Sequence, residues 1–199
     1  MMQTVFCSGF AGPEALFPGL SGRTRFVAPF LDGDEAFVIG RLMDGGDVLA
    51  GWSTGAHIIL KHAATLFPRY GRVALIAPFL RFADCYPLRA VRAMAAGMQA
   101  DPAGTIAAFW QNCAVAAPPA YDPAWTGALT AGLDYLLASE AAVPDVAAGH
   151  VTVVSGAADR IVRASAVDKV LAALPGAAHS VHPGGHWPRP ELLEELVRP

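Results

Sequence analysis

The chain is poor in lysine and in charge of either sign. Lys61 and Lys169 are its two lysines, 14 basic residues face 17 acidic ones, and charged residues make up 16% of 199. With a formal net charge of −3 and no basic stripe, it lacks what contacts to a phosphate backbone require, so nucleic acid is not an expected partner. Cysteine is scarce too. Cys7, Cys85 and Cys113 are odd in number and lack C-x-x-C spacing, which argues against a zinc site or a disulfide framework and leaves buried structural thiols. Residues 1–7 carry neither a basic region nor a long apolar stretch, so no secretory signal is read there and a cytoplasmic location is expected. Mean hydropathy is high, at +0.39. Alanine, glycine and valine carry much of it, however, and no apolar run approaches the roughly 20 residues of a spanning helix, so no membrane partner is expected.

What is present is enough apolar material for a core: 54% of residues are hydrophobic. A chain of this length forms one domain that buries roughly 70% of its unfolded surface. Short apolar runs alternate with helical periodicity. Strands are expected at 4–7, 25–30, 47–50, 72–77, 150–155 and 178–182, and helices at 35–43, 54–67, 165–174 and 190–197. That alternation predicts an α/β domain with a mainly parallel sheet of about six strands, covered on both faces. The pattern changes at about 79–146, where helical stretches at 87–98, 103–113 and 125–137 are separated by prolines. This reads as a helical insertion forming a lid.

The sharpest motif is Gly51-Trp52-Ser53-Thr54-Gly55, between the expected strand at 47–50 and the helix from 54. In a strand-to-helix turn of this kind the serine is strained and exposed at the helix N-terminus, and small residues two positions either side let strand and helix approach. A serine hydroxyl is a weak nucleophile that needs a base, and the base needs a group to fix its tautomer. Asp159, in Gly156-Ala157-Ala158-Asp159-Arg160-Ile161-Val162, follows the strand at 150–155. His186, in Gly184-Gly185-His186-Trp187-Pro188, follows the next strand. Both therefore fall at the same sheet edge as Ser53. Asp84 is a reserve acid, and His182 and His179 compete with His186 from within or at the end of a strand. His57 and His62 read as ordinary helix residues and His150 as the start of a strand; no metal-ligand set emerges. Trp52 either lines the pocket or packs.

These three motifs, in the order Ser, Asp, His, resemble the α/β-hydrolase superfamily over almost the whole chain. The resemblance implies an α/β-hydrolase fold, shortened at the N-terminus because the first strand aligns with the family's third. It further implies an oxyanion hole made by the backbone N–H groups of Phe10 and Thr54, with Ser8-Gly9-Phe10 standing where the family usually has His-Gly-X. Ser8 in place of histidine changes the support of that loop. Gly51-Trp52-Ser53, the size of the lid and Leu129-Thr130-Ala131-Gly132-Leu133-Asp134-Tyr135-Leu136-Leu137 are similar to the pimeloyl-acyl carrier protein methyl ester esterases of biotin synthesis. That likeness implies a medium-length acyl ester on an acyl carrier protein, with Arg81, Arg89 and Arg92 meeting the acidic carrier.

The expectation is a serine carboxylic-ester hydrolase that works without a cofactor. A thioesterase or acyltransferase would use the same triad, and a catalytically silent hydrolase-fold binding module is the alternative from another class. A sheet edge left apolar by the absent hairpin would favour a homodimer.

Overall fold

The computed structural model describes residues 3–198. Six strands form one sheet: β1 (Thr4–Cys7), β2 (Arg25–Val27), β3 (Gly46–Trp52), β4 (Tyr70–Ile76), β5 (Val151–Gly156) and β6 (Ala178–His182), in the order β2-β1-β3-β4-β5-β6. All five pairings are parallel. Consecutive residues of β1 and the second half of β3 are all buried, which requires cover on both faces of the sheet. That cover comes from the alternating helices α1 (Glu35–Leu42), α2 (Thr54–Lys61), α3 (Ala63–Leu66), α7 (Ala164–Ala173) and α8 (Pro190–Leu196). Among the described residues no helix is long and apolar enough to cross a membrane.

Between β4 and β5 lie the three expected helices of the insertion, α4 (Leu88–Ala100), α5 (Pro102–Asn112) and α6 (Thr126–Ala138). Asp101 caps α5 by accepting the Gly104 N–H at 2.9 Å, with Pro102 at its first position, a start signal that separates α5 from α4. The insertion is pinched at its neck. Arg81 and Glu140 form an antiparallel bridge, and the Ala141 N–H donates to the Leu80 carbonyl at 2.8 Å.

Two elements differ from the sequence reading. β2 ends at Val27 rather than continuing to residue 30, because Asp32 accepts the Ala28 N–H through its carboxylate at 2.7 Å and pulls the chain into a turn, with Phe30 at φ 69°. The helix expected over 54–67 breaks at His62, whose ring bonds Glu35 of α1 at 2.8 Å while Lys61 holds the other oxygen of the same carboxylate at 2.8 Å. On the edge strand β2, Phe26 packs against Phe6 and Phe17. The large apolar side chains exposed among the described residues are Phe37 and Val181, and Val181 belongs to the opposite edge strand, β6.

All three cysteines are free and buried, and burial pushes each thiol pKa up, that of Cys85 to about 12. They are inert packing groups. His57 is the unexpected core residue. Fully buried on α2, it bonds the Phe79 carbonyl through Nδ1 at 3.1 Å and the Ser139 hydroxyl through Nε2 at 2.8 Å, and its ring stacks on Phe79 at 4.8 Å. Burial, with Lys61 adding to it against the opposing Phe79 bond, pushes its pKa down from 6.5 to about 4.

Folding therefore takes up a neutral His57 that the unfolded chain protonates below pH 6.5. Unfolding binds the proton, so stability is complete above pH 6.5 and falls as the pH drops towards 4, by about 3 kcal/mol from this residue. His182, also shifted down by burial, acts in the same direction. Urea unfolding midpoints between pH 7.5 and 4 should show this loss, and His57→Gln should flatten it; an equally steep dependence in the variant would contradict the assignment.

Candidate active site

The turn from β3 into α2 places Ser53 in a conformation that L-residues rarely adopt, φ 53° and ψ −113°. Such strain costs about 1–3 kcal/mol and persists only where the surroundings dictate it. Here they do. The Ser53 N–H donates to the Ile76 carbonyl at 2.8 Å, and its carbonyl accepts from the His57 N–H at 2.9 Å. A Cβ on Gly51 would press into Ile59 and the Ala56 backbone, and one on Gly55 would collide with the Cys7 and Ser8 carbonyl oxygens. The two glycines of the motif are thus the seats on which α2 meets β3 and β1. Ser53 occupies the N-cap position, but its hydroxyl makes no capping bond. That hydroxyl lies 2.9 Å from His186 Nε2.

His186 Nδ1 in turn bonds Asp159 Oδ2 at 2.9 Å, and both side chains are almost wholly buried. The other Asp159 oxygen, Oδ1, accepts the N–H groups of Ile161 at 2.8 Å and Val162 at 2.9 Å. With the carboxylate as acceptor, Nδ1 carries the ring proton and Nε2 is free to accept from the Ser53 hydroxyl. The loops carrying Asp159 and His186 are zipped together by the Ala157 N–H to the His182 carbonyl at 2.8 Å and the Ala158 N–H to the Gly184 carbonyl at 2.9 Å.

The other candidates have different partners. Asp84 bonds Arg81 at 2.9 Å and Lys169 at 3.0 Å, and these bonds hold its carboxyl below the ordinary aspartate range. His182 Nδ1 accepts the Gly184 N–H at 3.1 Å, bracing the turn before His186, and His179 bonds Ser155 at 2.9 Å. Among the described residues no three His, Cys, Asp or Glu side chains converge as metal ligands.

The loop at 8–12 lies beside Ser53. The Ser8 hydroxyl donates to the Gly12 carbonyl at 2.7 Å, the Gly12 N–H donates to the Gly9 carbonyl at 3.1 Å, and Ala11 sits at φ 51°. Ser8 thus braces the loop from within, in the position where a histidine was the family expectation. Neither the Phe10 nor the Thr54 N–H donates a hydrogen bond among the described residues. The Thr54 hydroxyl is buried without a partner.

Trp52 is 1% exposed, which favours the packing alternative of the two that the sequence left open. Its indole N–H donates to the His186 carbonyl at 2.9 Å, and its ring fills the space where a Cβ on Gly9 would sit. It braces the histidine loop and the 8–12 loop together. Arg81, Arg89 and Arg92 are exposed and contribute nothing to the cavity wall.

The cavity in front of Ser53 is apolar and small, about 10 Å³. Phe10, Phe82, Met94, Phe109, Leu136 and Ile161 are among its walls. Phe82 and Phe109 line the cavity, Phe79 stacks on His57, and Tyr121 and Trp125 pair with each other at 5.9 Å. Met94 and Leu136 gave no signal beyond helical periodicity.

No protein-family model matches the chain, and no curated protein matches it. Solved structures do. An enol-lactonase from Burkholderia xenovorans superposes with a TM-score of 0.69 at 13% identity, over 94% of this chain and 85% of that one. An esterase from Exiguobacterium antarcticum gives 0.67 at 16%, over 92% and 85%, and a thermophilic esterase from Thermogutta terrifontis 0.63 at 18%, over 99% and 87%. At such identities the likeness is one of fold, and the fold is that of the α/β-hydrolases.

The seat at Gly55 is testable through stability. Gly55→Ala should lower unfolding stability by about 3 kcal/mol, because the methyl group meets backbone rather than a side chain that can turn away. A urea midpoint equal to that of the unmodified protein would show that α2 and β1 are not in such close contact.

Proposed function

We propose that the protein is a serine carboxylic-ester hydrolase acting through an acyl-enzyme at Ser53. The observation that carries this reading is the continuous relay Asp159–His186–Ser53, with both bonds at 2.9 Å, ending on a strained serine beside an apolar cavity. His186 Nε2 takes the hydroxyl proton as Ser53 Oγ attacks the ester carbonyl. Asp159 holds the ring in the required tautomer and stabilises the imidazolium that forms. The developing oxyanion is met by the N–H groups of Phe10 and Thr54, two donors with no other use. His186 then returns the proton to the departing alcohol, and a water activated by the same ring releases the acid. A silent binding module, suggested by the missing hairpin and the Ser8 departure, has less in its favour, since the Ser8 hydroxyl braces the loop through its bond to the Gly12 carbonyl.

The acyl group we assign is small. A cavity of about 10 Å³ is room for roughly one water-sized group, and the wall named above offers no charge to a distal carboxylate. The helical insertion acts as the lid over this space. A second reading, hydrolysis of a methyl ester on a pimeloyl chain carried by an acyl carrier protein, draws on Arg89 and Arg92, exposed on the same helix as Met94. It requires α4 to withdraw so that a longer chain can enter.

Ser53→Ala should lower turnover of p-nitrophenyl acetate by about 10⁴-fold or more while leaving the circular dichroism spectrum unchanged. Undiminished turnover would sink the proposal. Among acyl chains, acetyl and propionyl esters should give the highest kcat/KM, and Met94→Ala should move the optimum to longer chains. An optimum at hexanoyl or beyond in the unmodified enzyme, weakened by Arg89→Glu and Arg92→Glu on a carrier-bound methyl ester, would replace the small-acyl reading with the carrier-protein one.

A further inference from the structure

One helix of the insertion holds the floor of the site as well as its roof. Trp110, on α5, is 2% exposed, and its indole N–H donates to the Ala11 carbonyl at 2.7 Å. Ala11 adjoins Phe10 and sits at φ 51°, a left-handed conformation with no glycine to relax it. The next turn of the same segment reaches the histidine loop, where the Cys113 carbonyl accepts the Trp187 N–H at 3.0 Å. Phe109, the residue before Trp110, lies edge-on to Phe10 at 5.2 Å. The loop carrying Phe10 is therefore packed against the Trp52 ring at Gly9 and bonded to the Trp110 indole at Ala11.

We propose that Trp110 is a positioning residue for the oxyanion hole: its bond to the Ala11 carbonyl fixes the strained Ala11 peptide and so aims the Phe10 N–H at the reacting carbonyl. This rests on the Ser53 hydrolase reading. The physical ground is that an alanine at positive φ keeps that conformation only where something outside the loop dictates it. The bonds made within the loop, from Ser8 and from Gly12, close on Gly12 and Gly9, leaving the Ala11 carbonyl to Trp110 among the described residues. A donor aimed at the oxyanion acts mainly in the transition state, so loosening it lowers kcat and leaves KM nearly unchanged.

The experiment compares the unmodified protein with Trp110→Phe and with a chain carrying benzothienylalanine at position 110, which keeps the indole shape and removes only the N–H. Trp125→Phe, elsewhere in the insertion, serves as a control. The readouts are kcat and KM on p-nitrophenyl acetate and the rate at which a fluorophosphonate labels Ser53, each corrected for the folded fraction from thermal unfolding. Both changes at position 110 should lower kcat by roughly tenfold to a hundredfold, less than the loss of a whole donor, with KM within about twofold and labelling slowed in parallel. The control should match the unmodified protein. If Trp110→Phe does not fold, the benzothienylalanine protein decides alone. Unchanged kcat and labelling, or a loss that appears in KM instead, would overturn the role of Trp110 while leaving Ser53 untouched. If Ser53→Ala is turned over and labelled like the unmodified protein, the hydrolase reading fails and this inference fails with it.

Discussion

The contact on which the site depends is the approach of α2 to the ends of β1 and β3. Gly51 and Gly55 permit a spacing that no Cβ fits, and the spacing forces the chain between them through the backbone angles of Ser53. Everything chemical follows from that. The hydroxyl is lifted out of the cap position towards His186, and the first N–H of α2 is left without a helical partner. The cost of the strained residue, about 1–3 kcal/mol, is offset by the buried packing of α2, seven of whose eight residues are buried.

The three buried histidines illustrate how partners rather than sequence type decide function. His186 lies between a carboxylate and a hydroxyl, His57 between a carbonyl and a hydroxyl, and His182 faces the N–H of a turn. Of the three, His186 is the one hydrogen-bonded to a carboxylate, a partner that stabilises positive charge on the ring. Burial lowers the pKa of the other two, which serve as rigid connectors.

The fold and the candidate triad were legible because their signals are local. Gly-x-Ser-x-Gly between a strand and a helix, an aspartate two and three residues before the N–H groups it accepts, and a histidine just past Gly184-Gly185 all reveal themselves within a few positions. What was not legible depends on pairings across the chain. Trp52 and Trp110 make their decisive bonds to residues 134 and 99 positions away, and periodicity reports only that such residues are buried. The same applies to β2, cut short by Asp32, and to the break at His62, set by Glu35 of another helix. Cavity size is the least legible property, since it is the small remainder after many side chains have packed.

The pinched neck of the insertion has a consequence for how this architecture can change over generations. Because residues 80 and 141 are tied together, the segment between them is a closed excursion, and the entropy of closing such a loop grows only slowly with its length. Inserts of different size can be exchanged at that neck without altering the sheet's register. What resists exchange is the pair of bonds from α5 to the loops below it, so a graft that discards this helix would have to restore those supports before the site could work.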